Sequence, residues 1–133
     1  MRVMLDTNIC IYIIKQKPEA VLKKFQHLKV GDVYLSSVTY AELCFGVEKS
    51  HHPIKNKTAL DAFTAPLEIV PFDDEAAKHY GHLRAVLEKQ GRPIGSLDMM
   101  IAAHALSMNL PLVTNNIKEF KRVPHLKLQD WVR

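Results

Sequence analysis

Long hydrophobic runs are missing from this chain of 133 residues. No uninterrupted apolar stretch reaches the roughly 18–20 residues that a membrane-spanning helix requires, so we expect no membrane association. The first apolar run contains Asp6 and Asn8, and it has neither a basic leader nor a small-residue cleavage site. It therefore does not look like a secretory signal, and we expect a cytoplasmic protein.

Cysteine is also scarce. Cys10 and Cys44 lie far apart, without CxxC spacing or a cysteine-rich context. Both sit in apolar runs, so we expect small buried hydrophobic side chains. Seven histidines are present, but His51-His52 lies in a polar stretch without cysteine partners at zinc spacing. We therefore expect solvated loop histidines and no zinc site.

The composition is that of a soluble globular protein, with 47% hydrophobic and 24% charged residues. The length predicts one domain over residues 1–133, large enough for a sizeable core. Basic residues outnumber acidic ones by 18 to 14, and the pI is about 9.1. This mild excess suits a polyanionic partner such as nucleic acid, although it is a weak signal alone.

Short apolar segments alternate with amphipathic ones, which predicts an α/β fold with a mainly parallel sheet. The predicted strands are 2–5, 33–35, 68–72, 111–114 and 126–128. Two short helices are predicted at 9–14 and 18–25. A third is capped by Ser36 or Ser37, and a fourth starts at Pro53. A fifth is capped by Asp73-Asp74 and ends at Gly91, and a sixth spans 97–108 with Ser96 as its cap. We expect Leu97, Ile101, Ala105 and Met108 to form the apolar stripe of the last helix.

Acidic and amide side chains recur where the predicted strands end. Asp6 ends the first strand, Glu42 and Asp98 lie early in two helices, and Asn115, Asn116 and Glu119 follow the fourth strand. Ligands of open parallel sheets bind at this edge, so we expect the side chains to converge. Each also has an ordinary alternative: a helix cap for Asp6, a favourable helix-dipole contact for Asp98, and solvated surface for Glu42 and Glu119.

Carboxylates that converge repel each other by several kcal/mol at an effective dielectric near 20, unless protons or a cation lie between them. Mg²⁺ or Mn²⁺, bound by one or two carboxylates plus waters, is the natural partner at neutral pH. Such a site suits phosphodiester chemistry. The nearby Lys118, Lys121 and Arg122 are candidates for contacts to flanking phosphates, with a solvated surface as the alternative.

Four blocks in order resemble the signatures of PIN-domain ribonucleases, and more closely the VapC toxins of type II toxin–antitoxin systems. The blocks are MLDTN at 4–8, SSVTYAEL at 36–43 with Gly46, GRPIGSLD at 91–98 with IAAHA at 101–105, and LVTNNIKEF at 112–120. The likeness extends to Val123-Pro124 and Asp130-Trp131, and so runs essentially end to end.

The resemblance implies an α/β/α sandwich with a central, mainly parallel sheet of about five strands. It also implies Mg²⁺- or Mn²⁺-dependent endonucleolytic cleavage of structured RNA, with tRNA as the substrate expected from this family. Asp6 and Asp98 match the metal-binding aspartates, Glu42 matches the acidic partner, and Thr7 or Asn8 and Thr114 match pocket-lining residues. The resemblance also implies a homodimer and a VapB antitoxin whose C-terminal segment places an Arg or Lys among the carboxylates.

The chain departs from the family at Asn116, where many PIN domains have an aspartate. We expect weaker metal binding there and predict that Glu119 supplies the missing carboxylate. The departure supports one rival hypothesis, a catalytically inactive PIN fold that binds RNA or protein. A second rival, an aspartyl-phosphate phosphotransferase, needs an acid where Asn8 stands. We expect the aromatic residues Tyr12, Tyr34 and Phe45 to pack in the core, with base stacking as the alternative.

Overall fold

Five short parallel strands form the centre of the protein, in the order β3-β2-β1-β4-β5. The computed structural model describes residues 1–132. The strands are β1 (Val3–Leu5), β2 (Val33–Ser36), β3 (Glu68–Val70), β4 (Leu112–Val113) and β5 (Leu128–Gln129). Every pair is parallel, with Val3 beside Val33 and Met4 beside Leu112. The predicted α/β class with a five-stranded parallel sheet is confirmed.

Helices cover both faces of the sheet. They are α1 (Thr7–Lys15), α2 (Glu19–Gln26), α3 (Ser37–Glu48), α4 (Pro53–Thr64), α5 (Asp74–Lys89), α6 (Ser96–Ser107) and α7 (Ile117–Phe120). Ser36 caps α3, with its Oγ accepting from the backbone N of Val38, and Asp73 caps α5 by accepting from Ala76. Both caps agree with the sequence predictions, since Ser and Asp oxygens satisfy the free N–H groups of a first turn.

Alternation along the strands divides the core into two clusters. Met4 and Leu112 point to the face covered by α5 and α6, whereas Val3, Leu5 and Val113 point to the face covered by α1 to α4. Successive side chains of a strand point to opposite sides, and both sides of this sheet are buried. The central strands are therefore enclosed by helices on both faces, and the residues that follow them lie at the carboxyl edge of a buried sheet.

Helix α6 differs from the prediction at both ends. Gly95, not Ser96, is its N-cap residue, and Ser96 is the first helical residue. Leu97 and Met108 are 47% and 36% exposed, so they do not belong to the buried stripe with Ile101 and Ala105. The error arises because α6 is buried over a broad face, formed by Met99 and residues 101–105, rather than along one narrow stripe.

Phe45 lies on the surface, 65% exposed, so its predicted core packing is wrong. Tyr12 and Tyr34 are half-buried. Cys10 is buried as predicted, whereas Cys44 is half-buried, and both thiols are free. His51 and His52 are exposed as predicted. Of the helices in residues 1–132, none combines the length and apolar character that crossing a bilayer demands.

Candidate active site

The candidate site lies where the strand order reverses direction. From β1 the chain adds β2 and β3 on one side, then adds β4 and β5 on the other. Loops leaving β1 and β4 therefore diverge and leave a crevice at the carboxyl edge of the sheet, the usual ligand position in open parallel sheets. Asp6 follows β1 and Thr114 follows β4, so both stand at this crevice.

Asp6 is buried at the first turn of α1, with only 4% of its surface exposed. Its Oδ1 accepts a 2.9 Å hydrogen bond from the backbone N of Ile9, and Thr114 hydrogen-bonds to its side chain. Burial raises the pKa of Asp6 to about 6, and the charge of Glu42 adds to the rise despite those two hydrogen bonds. The fold thus holds this carboxylate where its charge is costly, which a helix cap alone does not require.

Glu42 reaches the crevice from the second turn of α3. Its Oε1 accepts a 2.7 Å hydrogen bond from the Thr7 hydroxyl, which comes from the first residue of α1. This bond fixes one oxygen of Glu42 and leaves the other free to contact a ligand or a water. Thr7, one of the two residues of this turn that were predicted to line the pocket, is therefore a contact of Glu42.

Asp98 and Glu119 form a carboxyl–carboxylate pair. Burial raises the pKa of Asp98 to about 7, helped by Glu119, Glu42 and Asp6. Burial opposes ionisation of Glu119 too, but hydrogen bonds from Asp98, Asn116 and the Gly95 backbone outweigh it and lower its pKa. Burial therefore favours the protonated form of Asp98, and the hydrogen bonds to Glu119 favour its carboxylate form.

Asn116 turns the donor end of its amide toward Glu119. Its Nδ2 lies 2.7 Å from Glu119 Oε2, while the backbone N of Gly95 donates to Glu119 Oε1 at 3.3 Å. A carboxylate only accepts, so the atom facing it must be the amide nitrogen. Asn116 thus orients Glu119. The Gly95 backbone contact was missed from the sequence, because a backbone donor carries no side-chain signature.

A buried hydrogen bond joins the helices that carry Glu42 and Asp98. His104 Nδ1, on α6, lies 2.8 Å from Ser36 Oγ, the cap of α3. Burial lowers the pKa of His104, and Phe72 meets its ring edge-on at 5.5 Å. The sequence showed His104 only as part of the IAAHA block, without its partner. This bond ties the start of α3 to the middle of α6.

The remaining predicted residues lie at the margin or away from the cluster. Asn8 is exposed on the first turn of α1, and Asn115 donates its Nδ2 to the Tyr12 hydroxyl at 2.9 Å. Lys118 and Lys121 are exposed. Arg122 donates to the Pro93 carbonyl at 2.9 Å and its charge helps to lower the pKa of Glu119.

The donors at the crevice fit a hard divalent cation. Burial raises the pKa values of Asp6 and Asp98, and the charges of neighbouring carboxylates add to the rise, so a cation that balances this charge would be favoured. Among residues 1–132, no group of three His, Cys, Asp or Glu side chains is close enough to form a ready-made metal cage. A coordination shell of two carboxylates and several waters therefore fits the donors present, and this is the usual way in which proteins bind Mg²⁺.

Comparison with known proteins adds independent findings. The PIN domain family matches residues 3–126. The tRNA(fMet)-specific endonuclease VapC of Shigella flexneri is 47% identical over 131 residues, covering 98% of each chain. Ribonuclease VapC2 of Rickettsia felis is 46% identical over 129 residues and 96% of each chain. DNA-bound VapBC from Salmonella typhimurium superposes with a TM-score of 0.93 at 44% identity and 98% coverage of both chains.

Proposed function

The chain belongs to the PIN-domain family and is similar to its VapC ribonucleases over nearly its full length, and from this premise we propose that it is the toxin of a type II toxin–antitoxin system. The proposed reaction is the hydrolysis of phosphodiester bonds at internal positions of an RNA substrate. The observation that carries the proposal is that Glu42 raises the pKa of Asp6, and that Glu119, Glu42 and Asp6 raise that of Asp98, at the switch point of the sheet. These four carboxylates come from separate elements.

Asp6 and Asp98 are the proposed metal ligands, and the metal is Mg²⁺ or Mn²⁺. When bound, the ion supplies Lewis-acid activation of water and neutralises charge on the phosphate. Glu42, held by Thr7, uses its free oxygen to orient the attacking water. Glu119 is hydrogen-bonded to Asp98 and would accept the shared proton if Asp98 held an ion as a carboxylate.

We place the scissile phosphate at the cluster, with Lys118, Lys121 and Arg122 at its α7 side for flanking phosphates. The substrate is structured RNA, and the activity named for the Shigella relative makes tRNA(fMet) the first candidate. A VapB-type antitoxin is the proposed inhibitor, by analogy with the Salmonella VapBC complex. We also propose a homodimer in the cytoplasm.

The inactive alternative depended on Asn116, and the contacts of that residue count against it. Asn116 stabilises the negative charge of Glu119, and Glu119 lies against Asp98. A carboxylate is therefore present at the α7 side of the site, although it comes from position 119. We infer that the presence of an asparagine at position 116 and a glutamate at position 119 moves the acidic group by one helical turn and leaves the site complete.

Purified protein is expected to cut a tRNA(fMet) transcript at an internal position when Mg²⁺ or Mn²⁺ is present, and to stop when EDTA is added. Gel mapping of the products and a second, unrelated tRNA transcript measure selectivity. In cells, expression of the chain should arrest growth unless its small neighbouring gene is co-expressed. Intact transcript and normal growth would together contradict a toxin nuclease.

Replacing Asn116 with alanine is expected to lower kcat/KM for RNA cleavage about tenfold, at the lower end of the range for groups that orient metal-site residues. The reason is that Glu119 loses its 2.7 Å donor and can turn away from Asp98. Asn56→Ala, on α4, is the matched control and should retain wild-type activity. Wild-type kinetics in Asn116→Ala would show that Glu119 needs no such support.

A further inference from the structure

His104 is a polar side chain on the buried face of α6, with 2% of its surface exposed. The residues around it on the helix, 101–103 and Ala105, are apolar and fully buried. Burial of a polar ring costs free energy unless the ring is hydrogen-bonded, so an apolar residue would serve packing better here. The reason for a histidine at this position must therefore lie in the bond that it makes.

The partner of the ring is the hydroxyl of Ser36, which ends β2 and is itself fully buried. Ser36 Oγ lies 2.8 Å from His104 Nδ1 and accepts a 3.1 Å hydrogen bond from the backbone N of Val38. Burial lowers the pKa of His104, against the opposing charge of Asp73, and so favours the neutral ring. A neutral imidazole can accept at Nδ1, and the hydroxyl hydrogen of Ser36 is the group left to donate. The N-cap of α3 is thus joined directly to α6.

Phe72 holds the same junction from the loop between β3 and α5. Its backbone N donates to the hydroxyl of Ser37, the first residue of α3, at 2.9 Å. Its ring meets the His104 ring edge-on, with the ring centres 5.5 Å apart, an arrangement that aromatic pairs prefer. The start of α3 is therefore held from two sides, and His104 takes part in both contacts.

The same two helices also carry interacting carboxylates. Glu42 lies six positions after Ser36 on α3, and Asp98 lies six positions before His104 on α6. The charge of Glu42 contributes to the raised pKa of Asp98, so these two side chains are close enough to interact. The helices therefore run antiparallel at this contact, with the hydrogen bond at one end and the carboxylates about 9 Å along each helix.

The position of Glu42 depends on both of its supports. Thr7 fixes one carboxylate oxygen from α1, but the backbone that carries Glu42 belongs to α3. Like charges repel, so Glu42 and Asp98 push α3 and α6 apart, and the buried bond between Ser36 and His104 opposes this movement. Without that bond the start of α3 could shift and carry Glu42 with it.

We propose that His104 is a positioning residue for RNA cleavage, which acts through Ser36 and α3 to fix Glu42 relative to Asp98. This inference rests on the proposed ribonuclease function, in which Glu42 orients the attacking water. His104 itself lies in the core and does not touch substrate. Its effect should therefore fall on the rate of the chemical step and depend on the carboxylate of Glu42.

The test compares His104→Leu and His104→Asn in the wild-type and Glu42→Gln backgrounds. Leucine fills the space without an acceptor, whereas the asparagine amide reaches the position of Nδ1 and can accept from Ser36. Leu87→Ala, a truncation in the same core cluster on α5, controls for lost stability. Single-turnover cleavage of the tRNA(fMet) transcript with Mn²⁺ gives the rates, at a temperature where thermal unfolding shows each variant to be folded.

His104→Leu should lower kcat about tenfold and change KM by less than about twofold, below the roughly hundredfold cost of a 1 Å misplacement at a reacting centre. His104→Asn should restore most of the lost rate. In Glu42→Gln, His104→Leu should cost less than about twofold, because residues that act through one another are not additive. Leu87→Ala should lower the unfolding temperature and keep the wild-type kcat.

An equal loss from His104→Leu in both backgrounds would overturn the inference, since it would show a purely structural bond. Unchanged kcat in His104→Leu, with cleavage by the wild type, would also overturn it and leave the proposed function standing. No cleavage by the wild type would overturn both. If His104→Leu does not fold, Ser36→Ala removes the same bond from the other side, and the same comparison with Glu42→Gln decides the question.

Discussion

Replacing Asp98 with asparagine is expected to lower kcat for RNA cleavage by roughly a thousandfold, the order found when a group that stabilises transition-state charge is removed. Asp98 is one of two proposed metal ligands, and it is the partner of Glu119. Asparagine keeps the size and one oxygen but cannot become a carboxylate. Both the affinity for the ion and the charge presented to it should therefore fall.

Unfolding cannot explain such a loss. The pKa of Asp98 is raised to about 7, so the native protein without metal already holds a large fraction of this side chain in its neutral form. A neutral amide at this position should leave stability near the wild-type value. Thermal unfolding of Asp98→Asn without metal measures this, and a large drop in the unfolding temperature would contradict the assignment.

Asp74→Asn provides the matched control for this variant. Asp74 lies in the first turn of α5 as Asp98 lies in the first turn of α6, but it is exposed and away from the cluster. The control should cleave the tRNA(fMet) transcript at the wild-type rate. Nuclease activity that survives in both Asp98→Asn and Asp6→Asn would point to a contaminant or to another site.

The sequence predicted those parts of the fold that depend on local pattern. Strand and helix positions followed from alternation, periodicity and caps such as Ser36 and Asp73. The expectation that Asp6, Glu42, Asp98 and Glu119 lie near one another came from a rule of topology, because residues at the carboxyl ends of parallel strands share one edge. Neither inference needed side-chain positions.

Contacts between distant residues could not be read in the same way. Periodicity groups residues on one face of a helix, but neighbouring elements decide which face is covered, and so Phe45 and Leu97 were expected inside. The bond between His104 and Ser36 spans 68 positions along the chain. The donor role of Asn116 depends on the position of Glu119, because an amide can present either its oxygen or its nitrogen.

The metal-free protein is expected to lose stability as the pH rises, because the pKa values of Asp6 and Asp98 are both raised, and Asp6 supplies the part that a single substitution can test. Native Asp6 has a pKa of about 6 against an ordinary value of 3.8. Between these values the native state binds more protons than the unfolded state, so the free energy of unfolding falls with increasing pH. For Asp6 alone the fall is about 1.5 kcal/mol between pH 5 and pH 8.

Asp6→Asn removes this contribution, together with the small part of the Asp98 pKa rise that the charge of Asp6 causes. An asparagine oxygen can still accept from the Ile9 backbone, so the cap on α1 is retained. His104 contributes in the opposite sense, because its lowered pKa makes the native state more stable as the pH rises, but it is common to both proteins. Urea unfolding measures the free energy of unfolding of both proteins at pH 5 and at pH 8. The difference between wild type and variant should change by about 1.5 kcal/mol between these two pH values.

A divalent ion should restore the stability that the wild type loses at pH 8. The reason is that the ion binds only the native state and balances the charge that burial makes costly. Millimolar Mn²⁺ is expected to raise the unfolding temperature of the wild type and to leave that of Asp6→Asn nearly unchanged. Equal shifts in both proteins would mean that the ion binds elsewhere.

The variant should also be the more stable protein at pH 8 without metal. An inactive enzyme that is more stable than the active one is the expected result if Asp6 is held at this position to bind an ion, at the expense of folding stability.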